Sequence, residues 1–272
     1  MTMLLEDLCK QLRINGVCEY IREYQPDNPE LEDNMAMALQ AELDKRQTNR
    51  QMRVLRQAGF PTKKRFEDLD PILLPHDGRE ALPALKSLTF LKEQRNVILI
   101  GNSGTGKTHM AIATGVLACE QNYRVSFRTA AALINEMVEA RSQNQLSLYL
   151  RQFKKIDLLI IDELGYVTFD LVGTELLFQL LATRYEMRST IITSNLAFSD
   201  WVRVFHDKTL TAAILDRVTH RALILNMNGM SFRRNRQENP SLSLFRVDNS
   251  PEQKISIKEI NRLKNTGIGK SL

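Results

Sequence analysis

Gly101-Asn102-Ser103-Gly104-Thr105-Gly106-Lys107-Thr108 directly follows the apolar run Val97–Ile100 and opens a helical pattern from Met110 to Cys119. The octapeptide fits G-x-x-x-x-G-K-[ST] at the strand-to-helix junction where that motif has physical meaning. Glycines lack Cβ, so the loop can wrap and aim successive N–H groups at phosphate oxygens. The helix behind it adds its positive end. Lys107 is expected on the β and γ phosphates, the Thr108 hydroxyl on Mg²⁺, and His109 beside them. The implied ligand is a magnesium-bound nucleoside triphosphate.

Further along, Leu158-Leu159-Ile160-Ile161-Asp162-Glu163 is an apolar strand that ends in two carboxylates. Two acids at a strand exit are common. Beside a phosphate loop they acquire roles: Asp162 on Mg²⁺, usually through water, and Glu163 as the base that polarises the attacking water. A third strand, Thr190-Ile191-Ile192-Thr193-Ser194-Asn195, puts Asn195 at its tip. That amide suits either the γ-phosphate and its water or a helix cap before Phe198, and chemistry alone leaves the two equal. Arg217 in Ile214-Leu215-Asp216-Arg217-Val218 could reach a neighbouring subunit's nucleotide, but without a family comparison a surface salt bridge to Asp216 or another acid is the preferred reading.

Around these motifs, apolar runs at Val97–Ile100, Val125–Phe127, Leu158–Ile161, Thr190–Ile192 and Ala222–Leu225 alternate with helical patterns. That rhythm predicts an α/β fold, a parallel five-stranded sheet flanked by helices. A small all-helical domain precedes it. Leu4, Leu5, Leu8 and Leu12 recur at helical spacing, Asn15-Gly16 interrupts, and Val17, Tyr20, Ile21 and Tyr24 resume. A longer helix is expected from about Glu30 to Gln57, ended by Ala58-Gly59-Phe60-Pro61. We divide the chain into a helical domain (1–61) for DNA or partner binding, a proline-bearing connector (62–95), an ATPase core (96–240) and a basic tail (241–272).

Charge is unevenly placed. The net charge is +5, yet residues 1–44 hold ten acids and three bases, while residues 45–65 hold eight bases and no acid. Arg46, Arg50 and Arg53 project from one helical face. The reading is a phosphate-binding stripe that continues into Lys63 and Lys64, against the ordinary alternative of a solvated face. In the core, Arg141, Lys154, Lys155 or the loop after Glu163 are further candidates for gripping DNA. The three cysteines, Cys9, Cys18 and Cys119, fit no zinc spacing, and their odd count favours free thiols in a reducing compartment. The start lacks the basic region of a signal peptide, and no apolar run reaches membrane-spanning length. A cytoplasmic protein without a membrane partner is expected. No Asn-Lys-x-Asp or Leu-Ser-Gly-Gly-Gln segment is present, which argues against a GTPase and an ABC ATPase.

With these motifs aligned, the chain resembles the IstB and DnaC group of AAA+ ATPases, most of all the IstB helpers encoded beside a transposase. The resemblance covers roughly residues 35 to 236. Its telling segments are Asp162-Glu163-Leu164-Gly165-Tyr166, Glu175-Leu176-Leu177-Phe178-Gln179, Arg184-Tyr185-Glu186, Ile191 to Asn195, Ala213 to Arg217 and Ser231-Phe232-Arg233. It implies an AAA+ core that binds ATP and Mg²⁺, forms an ATP-dependent homo-oligomer on duplex DNA, and recruits and stimulates its cognate transposase at the target. It also implies that Asn195 is the sensor, that Arg217 is an arginine finger acting in trans, and that Arg233 senses nucleotide. The group usually has Tyr where this chain has Phe232, so a hydroxyl is missing there. A DnaC-type replicative helicase loader is the alternative function. A metabolic phosphotransferase is a third, separable by ATP turnover indifferent to DNA and self-association.

Overall fold

The computed structural model describes residues 3–24, 29–229 and 231. Residues 1–232 belong to one compact unit. Its N-terminal helices are α1 (Met3–Leu12), α2 (Asn15–Tyr24) and α3 (Pro29–Gln57). The interruption between the first two falls at Arg13 and Ile14, one step before the expected Asn15-Gly16, and Arg13 takes a left-handed φ of 58°. Leu5, Leu8, Cys9 and Leu12 of α1 pack on Ala36 and Leu39 of α3 in a small core of their own. Cys9 is disulfide-bonded and Cys119 is free and buried, so the expectation of three free thiols fails. An odd count leaves one thiol over; it does not prevent a pair.

Helix α3 runs for 29 residues, about 44 Å, so it outreaches that small core. Its C-terminal half lies on the next layer, where Ala58 is buried and Val54 and Leu55 pack alongside. The proline-bearing stretch after it is folded rather than slack. It forms 3₁₀ turns at Phe66–Asp68 and Pro71–Leu73, then α4 (His76–Glu80), α5 (Leu82–Ser87) and α6 (Thr89–Lys92). Phe66, Leu74, Leu85, Leu88 and Phe90 from this stretch are buried in the main core. Prolines break long helices, but one apolar residue every few positions still gives each short piece something to bury.

The sheet comprises β1 (Asn96–Ile100), β2 (Val125–Thr129), β3 (Leu158–Leu164), β4 (Ser189–Ser194) and β5 (Ala222–Asn226). All pairings are parallel, and the order across the sheet is β2-β3-β4-β1-β5. The five apolar runs of the sequence are thus the five strands. Between them lie α7 (Lys107–Glu120), α8 (Ala130–Ser142), α9 (Leu146–Lys154), α10 (Leu171–Arg184), α11 (Trp201–Phe205) and α12 (Lys208–Thr219). Strand alternation feeds two cores. Val97, Leu99, Leu158, Ile160 and Ile191 face the side covered by α7. Ile98, Leu159, Ile161 and Ile192 face the side covered by α8, α10 and α12. The order decides where the chemistry sits: β4 is inserted between the phosphate-loop strand β1 and the carboxylate strand β3.

Candidate functional site

The phosphate loop is held from both sides. Gly101 N–H donates to Ser194 O of β4 at 3.1 Å, and Met227 N–H donates to Ile100 O at 2.6 Å. A Cβ on Gly101 would lie 2.3 Å from the backbone carbon of Met227, so only glycine lets these chains pass. Gly106, at φ +94°, turns the loop into the first residue of α7. Thr105 is fully buried and donates to Asn102 O at 2.9 Å, which pins the loop from within. Lys107 Nζ donates at 2.6 Å to both Gly101 O and Asn102 O, placing the ammonium at the loop's own carbonyls. Loop N–H groups, a helix N-terminus and an ammonium converge here, an arrangement suited to a polyphosphate. Asn102 and Ser103 are exposed at the rim, and Gly104 is half-buried. Tyr166 from the loop after β3 reaches Ser103 Oγ at 3.3 Å. His109 bonds Arg65 O at 2.9 Å, and Arg65 pairs with Glu120 at 2.5 Å.

Thr108 and Asp162, 54 residues apart in sequence, meet directly: Thr108 Oγ1 donates to Asp162 Oδ1 at 3.0 Å. Asp162 is only 3% exposed. A hydroxyl and a carboxylate oxygen side by side at a phosphate loop fit Mg²⁺, which takes few protein oxygens and completes its shell with water and substrate phosphates. Among the described residues no group of three or more His, Cys, Asp or Glu is placed to form an all-protein cage.

Sequence reading missed Thr193. Its hydroxyl donates to the same Asp162 Oδ1 at 2.5 Å and accepts the Glu163 N–H at 3.0 Å. The neighbouring pairs are Ile161 with Ile192 and Leu164 with Ser194, so Asp162 and Glu163 share one partner residue on β4. This β-bulge puts Glu163 at φ +61°, a left-handed conformation that costs a non-glycine residue roughly 1–2 kcal/mol. Bulges re-aim side chains beside active sites, and here Asp162 is buried while Glu163 is exposed. The only signal in sequence was a threonine among β-branched residues, which reads as ordinary strand.

Asn195 follows β4 at the same end of the sheet. It caps no helix: the turn at Phe198–Asp200 has Ala197 at its N-cap and no side-chain cap bond. Its Oδ1 is buried without a hydrogen-bond partner among the described residues. An unmatched buried acceptor costs free energy, so it suits a site completed by a ligand or its water.

Arg217 does not join this cluster. It lies near the C-terminus of α12, where Asn96 Nδ2 donates to the Arg217 and Val218 carbonyls at 3.5 and 3.1 Å. Asn96 begins β1 and the phosphate loop follows its end, so the strand's length, about 16 Å, intervenes. Nor does Arg217 pair with Asp216 among the described residues. It donates to Ala213 O at 3.0 Å, and its guanidinium lies 4.3 Å from the Phe178 ring centroid. Arg233 lies outside the described residues, as does Phe232.

The basic residues divide. Arg46 is tied to Glu42 at 2.7 Å and to Leu12 O at 3.2 Å, which fastens α3 to α1. Arg50 and Arg53 are exposed on α3, Lys63 is exposed and Lys64 half-buried in the segment beyond, and Arg141 is exposed in the last turn of α8. No helix among the described residues is long and apolar enough to cross a membrane.

The family described as IstB-like ATP binding protein matches residues 8–240, further toward the N-terminus than the resemblance in sequence reached. A relative named as an ATP-binding protein of insertion sequence IS21, from Pseudomonas aeruginosa, is 40% identical over 73% of this chain and 75% of its own. Another, named for insertion sequence IS232 of Bacillus thuringiensis subsp. berliner, is 37% identical over 71% and 77%. Among solved structures, AMPPCP-bound DnaA from Aquifex aeolicus aligns with a TM-score of 0.53 at 20% identity, over 76% of this chain and 61% of that one. DnaI aligns at 0.52 and 22%, over 65% and 93%. These two likenesses show the AAA+ P-loop fold.

Proposed function

The chain belongs to the family of IstB-like ATP-binding proteins, and on that premise we propose that it is a Mg²⁺-dependent ATPase that assists DNA transposition. In this reading it multimerises on duplex DNA and recruits and stimulates its transposase at the target. One observation carries the multimeric part. The Thr108–Asp162 pair and the phosphate loop are assembled within the chain, while Arg217, the arginine suited to phosphoryl charge, lies at the other end of β1. A second copy is the simplest source of the missing cation.

The roles follow from placement. The loop from Gly101 to Thr108 wraps the phosphates and Lys107 offsets their charge. Thr108 and Asp162 hold Mg²⁺, which on binding would draw charge from the phosphoryl oxygens. Glu163, aimed outward by the bulge, takes a proton from the attacking water, and Asn195 orients that water or the γ-phosphate. Arg217 stabilises the transferring group in the neighbouring copy. His109, bonded to the Arg65 carbonyl, supports the helix start rather than touching phosphate. Arg233 is kept as a nucleotide sensor by resemblance alone. Residues 1–61 serve DNA and partner binding, 62–95 connect, 96–240 form the ATPase and 241–272 are a basic tail. Arg50 and Arg53, with Lys63, Lys64 and Arg141, are the backbone contacts; Arg46, already ion-paired, is the least available.

Sedimentation with a slowly hydrolysed ATP analogue and duplex DNA tests this. ATP-dependent oligomers on the duplex are expected, and a monomer under all conditions removes the proposal. A replicative helicase loader is the second reading. The relatives at 37% and 40% identity are named for insertion sequences, whereas DnaI shares only the fold, so the transposition reading is preferred.

A further inference from the structure

A cleft of about 640 Å³ opens between α3 and the β2 edge of the sheet. Four arginines line it: Arg50 and Arg53 from α3, Arg124 just before β2 and Arg128 within it. Among the described lining residues the one carboxylate is Glu136, and it is already engaged; Asp157 beside the cleft accepts the Arg124 backbone N–H at 2.9 Å and pairs with Arg188 at 3.1 Å. Arg128 Nε donates to the two Glu136 oxygens at 3.0 and 3.2 Å, and Tyr149 Oη donates to that carboxylate at 2.7 Å. Arg128 also donates to Phe127 O at 2.8 Å, so that guanidinium belongs to the wall. The other three differ. Arg50, Arg53 and Arg124 are exposed, and none makes an ion pair among the described residues.

The two walls are fixed to each other. Phe127 N–H donates to Ala58 O at 2.7 Å, so the end of α3 is bonded to the outer edge of β2. Gln51 Nε2 donates to Glu120 O at 2.8 Å, which joins α3 to the end of α7. The unpaired guanidinium groups thus sit on facing, rigidly held walls. Arg50 and Arg53 are separated by about 4.5 Å of helix rise, and Arg124 lies on the opposite wall just before β2. A lone phosphate does not fill such a space; an extended polyanion does.

We propose that this cleft seats the sugar–phosphate backbone of one strand of duplex DNA, with Arg124 the contact on the core side opposite Arg50 and Arg53. This rests on the reading of the protein as a DNA-bound ATPase, and it adds a residue and a location that the helix stripe alone did not contain. An acidic protein segment is the competing ligand. Protein interfaces draw most of their affinity from buried aromatic and apolar anchors. Here Phe153 is 5% exposed and packs on Tyr149 with ring centroids 5.0 Å apart, and Val54, Tyr149 and Ile156 are half-buried, so the exposed side chains of the lining are Arg50, Arg53, Gln57, Arg124 and Gln152. Guanidinium pairs suit phosphate geometry, and contacts to backbone carry no base information, so binding through this cleft is sequence-independent.

The test is fluorescence anisotropy of a labelled random-sequence duplex titrated over a range of salt concentrations, with the full chain. Arg124→Gln should weaken binding and lower the salt slope by about one ion, and Arg50→Gln with Arg53→Gln by about two. Arg124→Lys should retain the slope, and Arg203→Gln, 81% exposed on α11, should match wild type. A wild-type slope in Arg124→Gln overturns the proposal. So does loss of polyglutamate binding in that variant with an unchanged duplex curve, because the cleft would then serve an acidic protein. A wild-type chain that binds no duplex at all sinks the functional reading itself, which is a different result.

Discussion

The Thr193 hydroxyl donates to Asp162 Oδ1 at 2.5 Å, joining the middle strand of the site to the buried carboxylate beside Thr108. The Thr193 hydroxyl oxygen also accepts the Glu163 N–H, so one side chain supports both acids of the carboxylate pair. Its position follows from the strand order, because β4 lies between β3 and β1.

Replacing Thr193 with Val keeps the shape and removes the hydroxyl. A hydrogen bond to a charged group contributes about 1.5–3 kcal/mol, which as a barrier is roughly a 10- to 150-fold fall in turnover. Nucleotide affinity measured by a fluorescent analogue should change much less than Mg²⁺-dependent hydrolysis. Equal losses in both would make Thr193 a general fold residue.

Glu163→Gln should retain ATP and DNA binding and lose hydrolysis. The exposed side chain makes no described hydrogen bond, so the fold does not depend on its charge. Full phosphate release in this variant would remove Glu163 as the base.

Arg217→Ala should bind nucleotide and fail to turn it over. Mixed with Glu163→Gln, it should recover part of the activity, since some interfaces then pair an intact Glu163 with an intact Arg217. No recovery in mixed assemblies, with each variant inactive alone, would place Arg217 on its own subunit's reaction or in a structural role.

Arg184 is 1% exposed and donates to Phe153 O, Ile156 O and Ser189 O at 2.6, 3.0 and 2.7 Å. It binds the end of α9 to the entry of β4. Arg184→Leu strands those carbonyls, and a cost of about 3 kcal/mol or more is expected. Thermal melting should fall by several degrees; a melt within a degree of wild type would show that water replaces the guanidinium.

Burial pushes the Cys119 thiol up to about 12, and the neighbouring Glu120 charge adds to the shift. In the native protein at neutral pH it should resist iodoacetamide, and it should react promptly once unfolded. Rapid native labelling of Cys119 would show that α7 opens readily.

The sequence by itself determined the parts of this protein whose cause is local. Residues 101–108 specify a phosphate loop because only glycines permit that turn, and the five apolar runs specify strands because their residues alternate between two buried faces. The carboxylates at 162 and 163 were legible for the same reason: they close such a run beside such a loop. Tertiary structure decided what depends on neighbours far along the chain. Thr193 acquired its role from a strand order that spacing does not encode. Glu163 was turned outward by a bulge fixed by pairing with β4. Arg46 was taken out of the basic stripe by Glu42 and the Leu12 carbonyl, while Arg124, unremarkable in sequence, was brought opposite Arg50 and Arg53. Periodicity reports which face of an element is buried; it does not report which distant side chain meets it there, because that is set by the packing of whole elements against one another.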